Sequence, residues 1–422
     1  MSSRRQVVVT GVGVVSPLGE SLASLHDALC RGEGALAEIE SFERDGLPSR
    51  VGAAITGFSE TDHFGERNFR PLDRTGRLVA AAAGLALADA GWPATDRDRL
   101  FAGVEIGLVL GTTFGSVHTI SEFDRRALTA GPNYVKPLDF ANSVINAAAG
   151  QTAIWHDLTG VNTTLSGGHS VGLTAIAYAA DLIATGRADV VLAGGAEELC
   201  YESFLGYART GRTAGADGGE PCAVPFDVRR NGFALGEGSA LLVLEAAEVV
   251  AARGGRWLAS VAGHGAAFDP SRGRDGASAV TALARAVSGA LADAGVAAAD
   301  LAAVSMAANG SAEGDRREAH GVASALGEAA RRLPVAALKG ALGESLGAAS
   351  AFQVAGLVAT LGDGRLPGVA GLEEVEEGLG LAGLSADTRQ ADGRALLASA
   401  LDLDGNARAL VIARRDPARG AP

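Results

Sequence analysis

Apolar residues along the chain alternate between short uninterrupted runs and longer stripes at helical spacing. The short runs, at 7–15 (VVVTGVGVV), 105–111 (EIGLVLG) and 189–193 (DVVLA), are typical of strands buried on both faces. Longer segments such as 74–90 place Ala, Leu and Val along one face of a helix. Because strands and helices alternate, the pattern predicts an α/β protein whose sheets are covered by helices on both sides.

The second part of the chain repeats this alternation. A similarity between DVVLAGGAEE at 189–198 and AVSMAANGSAEG at 303–314 points to duplication of one unit. No Pro-rich or charged linker divides the chain, so we expect two halves packed together, 1–250 and 251–422. The predicted helices are at 21–31, 74–90, 140–156, 171–185, 277–294, 315–326 and 345–361, and further strands are predicted at 161–166, 235–244, 257–263, 302–307, 335–338, 395–401 and 407–413.

Charge narrows the choice of partners. The 36 Lys and Arg residues are outnumbered by 49 Asp and Glu residues, which gives a formal net charge of −13. Nucleic acid is therefore a poor partner, because phosphate binding needs concentrated positive charge. An acidic protein partner would not be drawn to this chain by net charge either, so its docking would be local or through another subunit.

The three cysteines, Cys30, Cys200 and Cys222, match no zinc-ligand spacing, and their odd number argues against a disulfide framework. We expect no metal and no cofactor. The N-terminal residues lack the apolar core of a signal peptide, and no uninterrupted apolar run reaches about 18 residues. These features predict a cytoplasmic protein without a membrane span.

Several segments, in this order and spacing, resemble those of elongating β-ketoacyl synthases of the fatty-acid and polyketide type. They are 7–19, 113–116 (TFGS), 187–198 (RADVVLAGGAEE), 225–245 (PFDVRRNGFALGEGSALLVLE), 339–351 (KGALGESLGAASA) and 399–407. The resemblance covers essentially the whole chain. It implies the thiolase fold, with duplicated βαβαβαββ halves forming a five-layered α-β-α-β-α core, and a dimer that condenses an acyl thioester on Cys with a malonyl unit.

The residues that would carry that chemistry are replaced. The family's nucleophilic Cys sits at a strand-to-helix turn, where the helix N-terminus favours a thiolate. The matching position is His169, within TTLSGGHSVGLTAI. The two catalytic His positions of the family correspond to Asn309 and Glu344, whereas Lys339 matches and Asp315 matches if the loop before it is slightly shortened.

These replacements predict a pocket that cannot condense acyl groups. Acyl-imidazoles hydrolyse readily, so His169 would store a chain poorly. The enolate formed by decarboxylation needs hydrogen-bond donors, but an ionised Glu344 only accepts and repels negative charge. We expect His169 and Glu344 to hydrogen-bond to each other, with Asn309 alongside, because a buried carboxylate needs a partner.

A subclass of the family fits this profile. In type II polyketide synthases, an active ketosynthase pairs with a chain length factor that resembles a synthase without the Cys. The resemblance implies a heterodimer in which the growing chain, delivered by acyl carrier protein mainly through the active partner, extends into a tunnel at the subunit interface. Chain length factors usually carry Gln at the lost Cys position; His169 departs from this, which argues against a Gln-linked priming role.

Chain length would be set sterically, because a bulky side chain at the tunnel floor excludes another two-carbon unit. The family pattern places Phe114 near that floor, with Val117 close by. It places Ser143 and Ala147 on the predicted helix at 140–156, a candidate interface helix. The sequence leaves open whether the product is an aromatic poly-β-ketone or a reduced polyene.

Two other functions remain open at the level of sequence. His169, Glu344 and a serine (Ser166, Ser170 or Ser311) would make a Ser–His–acid arrangement for acyl hydrolysis or transfer, although no serine stands in an obvious nucleophile elbow. Alternatively, the chain would be a homodimeric protein that binds acyl chains without reacting with them.

Overall fold

Ten strands form one mixed sheet in the computed structural model, which describes residues 4–43, 46–93 and 104–414. Small two- and three-stranded sheets lie beside it. The strands are β1 Val7–Val15, β2 Ala37–Glu38, β3 Val51–Ala53, β4 Ile106–Thr112, β5 Asn162–Ser166, β6 Val190–Glu197, β7 Leu235–Gly236, β8 Gly238–Ala246, β9 Ala259–Phe268, β10 Leu301–Met306, β11 Val335–Ala336, β12 Arg365–Leu366, β13 Arg389–Gln390, β14 Ala395–Leu401 and β15 Asn406–Ala413.

The long helices follow the predicted apolar stripes. The α-helices of the described chain are α1 Leu22–Cys30, α2 Glu60–Phe64, α3 Arg74–Asp89, α4 Val117–Thr129, α5 Pro137–Phe140, α6 Ala147–Trp155, α7 Val171–Ala184, α8 Tyr201–Ala208, α9 Ala247–Ala252, α10 Gly276–Ala294, α11 Ala312–Leu326, α12 Lys339–Leu342 and α13 Ala349–Asp363. Side-chain caps define several of their starts; Asp73, for example, accepts a hydrogen bond from the Gly76 amide at the start of α3.

The strand order shows the duplication. The first half runs β5-β4-β6-β8-β1 across the sheet, and the second half runs β11-β10-β14-β15-β9. Counted along the chain, both halves have the order third, second, fourth, fifth, first. The halves join where β1 pairs with β9 through Val8–Ser260 and Val9–Ala259. The predicted duplicated α/β fold of the thiolase type is therefore confirmed.

Helices cover both faces of each half-sheet and one layer is shared. Helices α7 and α13 contact each other and strands of both halves, so they form the central layer. Helix α3 packs on the outer face of the first half, and α10 packs with α11 on the outer face of the second. Along β4, Val109 faces the central layer while Leu108 and Leu110 face α3, as the period-two geometry of a strand requires.

The helix predicted at 140–156 is wrong in its first turns. Helix α5 ends at Phe140 and α6 begins only at Ala147. In the turn between them, the Asn142 side chain donates to the Pro71 carbonyl, and the Ser143 hydroxyl donates to the Phe140 carbonyl at 2.7 Å. Such short polar side chains compete with helical hydrogen bonds. Ser143 is therefore in a turn, not on an interface helix.

The sequence similarity that suggested duplication joins strands that are not equivalent. Residues 189–198 contain β6, the fourth strand of the first half, whereas residues 303–314 begin within β10, the second strand of its half. Both are buried strands that end in turns of small residues, which accounts for the likeness. The duplication is real, but that pair of segments did not reveal its register.

Within the described residues, one helical segment, Leu346–Asp363, is long and apolar enough to cross a membrane by length and composition. Its 18-residue window has a mean hydropathy of 1.2 and is 83% buried inside the molecule. The segment contains α13 of the central layer, so its apolar character is accounted for by packing between the two half-sheets.

Candidate functional site

His169 lies in the turn between β5 and α7, the strand-to-helix position predicted for it. Its side chain is only 7% exposed. The turn needs Gly168, because a Cβ there would lie 2.6 Å from an Asp402 carboxylate oxygen. Packing around the first turn of α7 therefore holds the imidazole pointing into the protein.

Glu344 forms the centre of a buried polar cluster. Its Oε2 atom lies 2.7 Å from His169 Nδ1, 2.6 Å from Lys339 Nζ and 2.9 Å from Asn309 Nδ2. Its Oε1 atom accepts the Leu346 amide at 3.1 Å. The His169–Glu344 pair predicted from the sequence is thus present, with Asn309 alongside. We call His169, Asn309, Lys339 and Glu344 the ion cluster.

Glu344 is charged in this setting. Burial would by itself raise its pKa, but the adjacent His169 and Lys339 outweigh burial and lower the pKa from 4.5 to about 2. An ionised carboxylate only accepts hydrogen bonds. The Asn309 side-chain amide donates a hydrogen bond to Glu344. Asn309 and Glu344, the two residues predicted to replace the family's catalytic His residues, are therefore bonded to each other and present a negative charge.

Asp315 holds the loop that carries Asn309. Its carboxylate accepts the backbone amides of Asn309 and Phe226, each at 3.0 Å, and lies 3.2 Å from Arg230 Nε. Burial raises the pKa of Asp315 to about 6, although these amides and Arg230 favour its charged form. Asp315 therefore positions the loop instead of entering the ion cluster.

Asp402 adds a second carboxylate that the sequence did not single out. It comes from the β14–β15 turn, is buried, and accepts both the Ser170 amide at 2.6 Å and the Ser170 hydroxyl at 2.7 Å. An anion at the N-terminus of α7 is favoured by the helix dipole. The signal available in the sequence was the pair of acids at 402 and 404, within the segment 399–407 that resembles the family.

Tyr207, on α8, is the other site residue missed from the sequence. Its hydroxyl lies 3.4 Å from His169 Nε2, and its ring packs edge-on against Phe114 and Phe233 at 6.0 and 5.5 Å between centroids. We call Phe114, Tyr207 and Phe233 the aromatic row. No motif marks Tyr207, and helical spacing alone does not say that it turns towards His169.

Two of the three serines considered for a nucleophile donate their hydroxyl hydrogens elsewhere. Ser170 donates to Asp402, and Ser166 donates to the Thr113 carbonyl at 3.3 Å. Ser311 starts α11, where its amide donates to Asn309. The hydroxyl that faces His169 Nε2 is that of Tyr207. The Ser–His–acid arrangement considered from the sequence is therefore not the one that the fold assembles around His169 and Glu344.

The loop that carries Phe114 is anchored by a buried acid. The Glu197 carboxylate accepts the backbone amides of Thr113 at 2.7 Å, Phe114 at 2.9 Å and Gly115 at 3.2 Å. Burial raises the pKa of Glu197 to about 7, against the effect of these hydrogen bonds. These bonds fix the backbone at Phe114, whose ring is 36% exposed and is the most exposed of the aromatic row.

The other three tunnel candidates lie apart from the ion cluster. Val117 is half-buried at the start of α4, and Ser143 is half-buried in the turn before α6. Ala147 is buried in the first turn of α6, a helix that packs against α3. Ala147 is thus in a core position, and of the four candidates Phe114 is the one joined to His169 through a side-chain contact with Tyr207.

Exposed apolar side chains cluster along the chain around these candidates. We call this set the apolar patch: Phe114, Leu128, Tyr134, Leu138, Phe140, Val144, Ile145 and Ile154. Strand β5, which leads to His169, lies at the edge of the ten-stranded sheet. Large exposed apolar patches mark surfaces that contact other proteins or ligands, and an unpaired strand edge can pair with another chain.

Two of the three cysteines lie beside a polar side chain. Cys30 contacts His26 at 3.6 Å, and Cys200 contacts Ser203 at 3.4 Å. Burial raises the pKa of the Cys200 thiol to about 12, so it is a poor nucleophile. Across 4–43, 46–93 and 104–414, no group of three or more His, Cys, Asp or Glu side chains is arranged to hold a metal ion.

The duplicated fold, with its turn between β5 and the central helix α7, defines a ketosynthase-like protein of the thiolase type. The models of the β-ketoacyl synthase N-terminal and C-terminal domains match residues 4–249 and 258–373. The chain belongs to the β-ketoacyl synthase family.

Relatives and solved structures extend this result along the chain. The 3-oxoacyl-acyl-carrier-protein synthase 2 of Vibrio cholerae is 32% identical over 386 residues, covering 90% of this chain and 91% of the relative. The putative polyketide β-ketoacyl synthase 1 of Streptomyces halstedii is 31% identical over 424 residues, covering 97% of this chain and 98% of the relative. The structure of the ishigamide ketosynthase/chain length factor superposes on this chain with a TM-score of 0.88 at 27% identity. The match covers 98% of this chain and 100% of the solved chain.

Proposed function

We propose that this chain is a non-condensing chain length factor, which pairs with an active ketosynthase and limits the length of the polyketide or polyene chain. The observation that carries the proposal is the ion cluster. At the place where the family's Cys would stand, His169 is hydrogen-bonded to a buried, ionised Glu344 that also binds Lys339 and Asn309.

This cluster is unsuited to condensation for two reasons. No thiol at the α7 turn is available to hold an acyl chain as a thioester. The negative charge of Glu344, and that of Asp402 when it is ionised, would oppose an enolate or alkoxide developing beside His169. Changing one residue would correct only one of these two defects.

The surface favours a partner of the same fold. The apolar patch begins at the loop of Phe114 and continues on the segments that follow it along the chain. Strand β5, which contacts the helix that carries Ile154, offers an unpaired edge. A ketosynthase placed against this face would cover the patch and bring its own pocket towards Phe114. The neighbour of known structure named as a ketosynthase/chain length factor supports this pairing. Acyl carrier protein would then act mainly on the active partner.

Phe114 is the residue that we expect to set chain length. Its backbone is held by Glu197, so its ring cannot swing away by moving the loop. Its side chain is partly exposed at the apolar patch and backed by Tyr207. A chain growing from the partner towards this face would stop against the ring, because forcing extra methylenes into a packed site costs about 1–3 kcal/mol.

The test is chain elongation by the reconstituted pair. The chain is co-expressed with an active ketosynthase that carries the family's Cys, and the purified complex is supplied with malonyl-loaded acyl carrier protein. Phe114→Ala should give products longer by at least one two-carbon unit, whereas Phe114→Tyr, which keeps a ring, should give the original length. An intact complex whose Phe114→Ala form makes unchanged products would contradict the length-setting role.

The same preparation tests the partnership. Co-purification as a heterodimer supports the proposal. A stable homodimer that does not exchange with the ketosynthase would instead favour an acyl-chain-binding protein, the alternative left open by the sequence. Condensation by the isolated chain would contradict the non-condensing role.

A further inference from the structure

We propose that Tyr207 is a second, inner stop for the growing chain, behind Phe114, and that it decides how far a product extends once the Phe114 ring is removed. The inference rests on the proposed function, because it assumes that the chain end approaches from the face of Phe114. It assigns to Tyr207 a role in product length rather than in any chemical step.

Contacts between rings place the two residues one behind the other. The Phe114 and Tyr207 rings meet edge-on at 6.0 Å and 69°, and Tyr207 in turn meets the His169 ring at 6.1 Å and 73°. Exposure falls along this line: Phe114 is 36% exposed, Tyr207 is half-buried, and the His169 side chain is 7% exposed. A chain end moving inwards from Phe114 therefore meets Tyr207 before it meets the ion cluster.

Tyr207 is held on several sides. Its ring packs edge-on against Phe233 at 5.5 Å and 80°, and Phe233 is almost fully buried. Its hydroxyl points to His169 Nε2 at 3.4 Å. One turn earlier on α8, Phe204 is fully buried and fixes the helix against the core. A side chain fixed in this way resists displacement by an acyl chain, because leaving a packed position costs contacts that are not replaced.

The serial arrangement makes a specific prediction about combined substitutions. Removing Tyr207 alone leaves the Phe114 ring in front, so product length should not change. Removing Phe114 alone opens space only as far as the Tyr207 ring. Removing both opens the space up to His169, so the effect of the Tyr207 substitution should be seen only when Phe114 is already small.

The experiment compares products of the complex carrying Phe114→Ala, Tyr207→Ala or both. We expect the double variant to give products at least one two-carbon unit longer than those of Phe114→Ala, and Tyr207→Ala alone to give the original length. Tyr201→Ala combined with Phe114→Ala is the matched control. Tyr201 lies on the same helix, but its ring faces Phe42 at 6.1 Å, so the products should match those of Phe114→Ala.

A further pair of variants keeps the test decisive if the double alanine variant fails to assemble. In the Phe114→Ala background, Tyr207→Phe keeps the ring and should add nothing, whereas Tyr207→Leu shortens the side chain and should lengthen the product. If Phe114→Ala lengthens the product and neither Tyr207→Ala nor Tyr207→Leu extends it further, the inner stop is wrong while the proposed function stands. If Phe114→Ala itself has no effect, the proposed function fails and the inner stop fails with it.

Discussion

Replacing Glu344 by Gln perturbs the centre of the ion cluster while keeping its shape. Oε2 of Glu344 faces three donors, from His169, Lys339 and Asn309, and Oε1 faces the Leu346 amide. A Gln side chain must turn its NH2 group towards one of these two sets, so at least one donor then faces another donor. The buried Lys339 also loses its counter-charge.

The loss of stability on replacing Glu344 by Gln can be sized from the pKa of Glu344 and from the typical cost of breaking a buried ion pair. Lowering the pKa of Glu344 from 4.5 to about 2 corresponds to roughly 3 kcal/mol of stabilisation at neutral pH. Removing one partner of a buried ion pair typically costs about 3–5 kcal/mol. We therefore expect Glu344→Gln to lower the free energy of unfolding by about 3 kcal/mol, a large share of the ~5–15 kcal/mol that usually stabilises a folded protein.

Urea unfolding of the purified complex, followed by circular dichroism, measures this loss in a double-mutant cycle with Lys339→Met. Once the carboxylate is gone, removing the ammonium group should cost little more, so the two changes should be coupled by about 1–3 kcal/mol. A Glu344→Gln form within about 0.5 kcal/mol of the wild type, or strictly additive effects in the cycle, would refute a cluster held together by this charge.

Two further predictions use the same geometry. Because the pKa of Glu344 is lower in the folded chain than its ordinary 4.5, its contribution to stability is present above pH 4.5 and is lost as the pH falls towards about 2. Unfolding midpoints between pH 5 and 3 should therefore fall less steeply for Glu344→Gln than for the wild type, and parallel curves would contradict this. His169→Cys should not restore condensation, because Glu344 stays 0% exposed beside the new thiol and its negative charge disfavours both thiolate and enolate. The measure is carbon–carbon bond formation from malonyl-loaded carrier protein by the isolated variant, and turnover there would show that the lost Cys was the only defect.

The residues of the ion cluster could be found from the sequence because they lie inside specific motifs. KGALGE places Glu344 at a fixed distance from Lys339, and TTLSGGHS places His169 at a strand-to-helix turn. Pairing His169 with Glu344 followed from chemistry, since a buried carboxylate needs a partner. The sequence predicts that Lys339 is a retained family position, but it carries no signal for the bond between Lys339 and the same Glu344 oxygen.

The position of Ser143 was predicted wrongly from the spacing of apolar residues. Apolar residues around 140–156 have helical spacing, yet hydrogen bonds from Asn142 and Ser143 to backbone carbonyls end α5 and leave a turn before α6. One of these bonds reaches Pro71, far away in the chain. A contact of that kind is not visible to a reading that uses only neighbouring residues.

The amino-acid sequence by itself determined the layered α/β fold, because the periods of apolar residues in strands and helices are local properties of the chain. It also led to the prediction that His169, Asn309 and Glu344 stand at motif positions where the family would have a Cys and two His. Tertiary structure alone decided that Asp402 from the β14–β15 turn would bind Ser170 at the start of α7, and that Tyr207 would stand between Phe114 and His169. These groups are brought together by sheet order and by the angle at which α8 packs, and neither leaves a periodic signal in the chain.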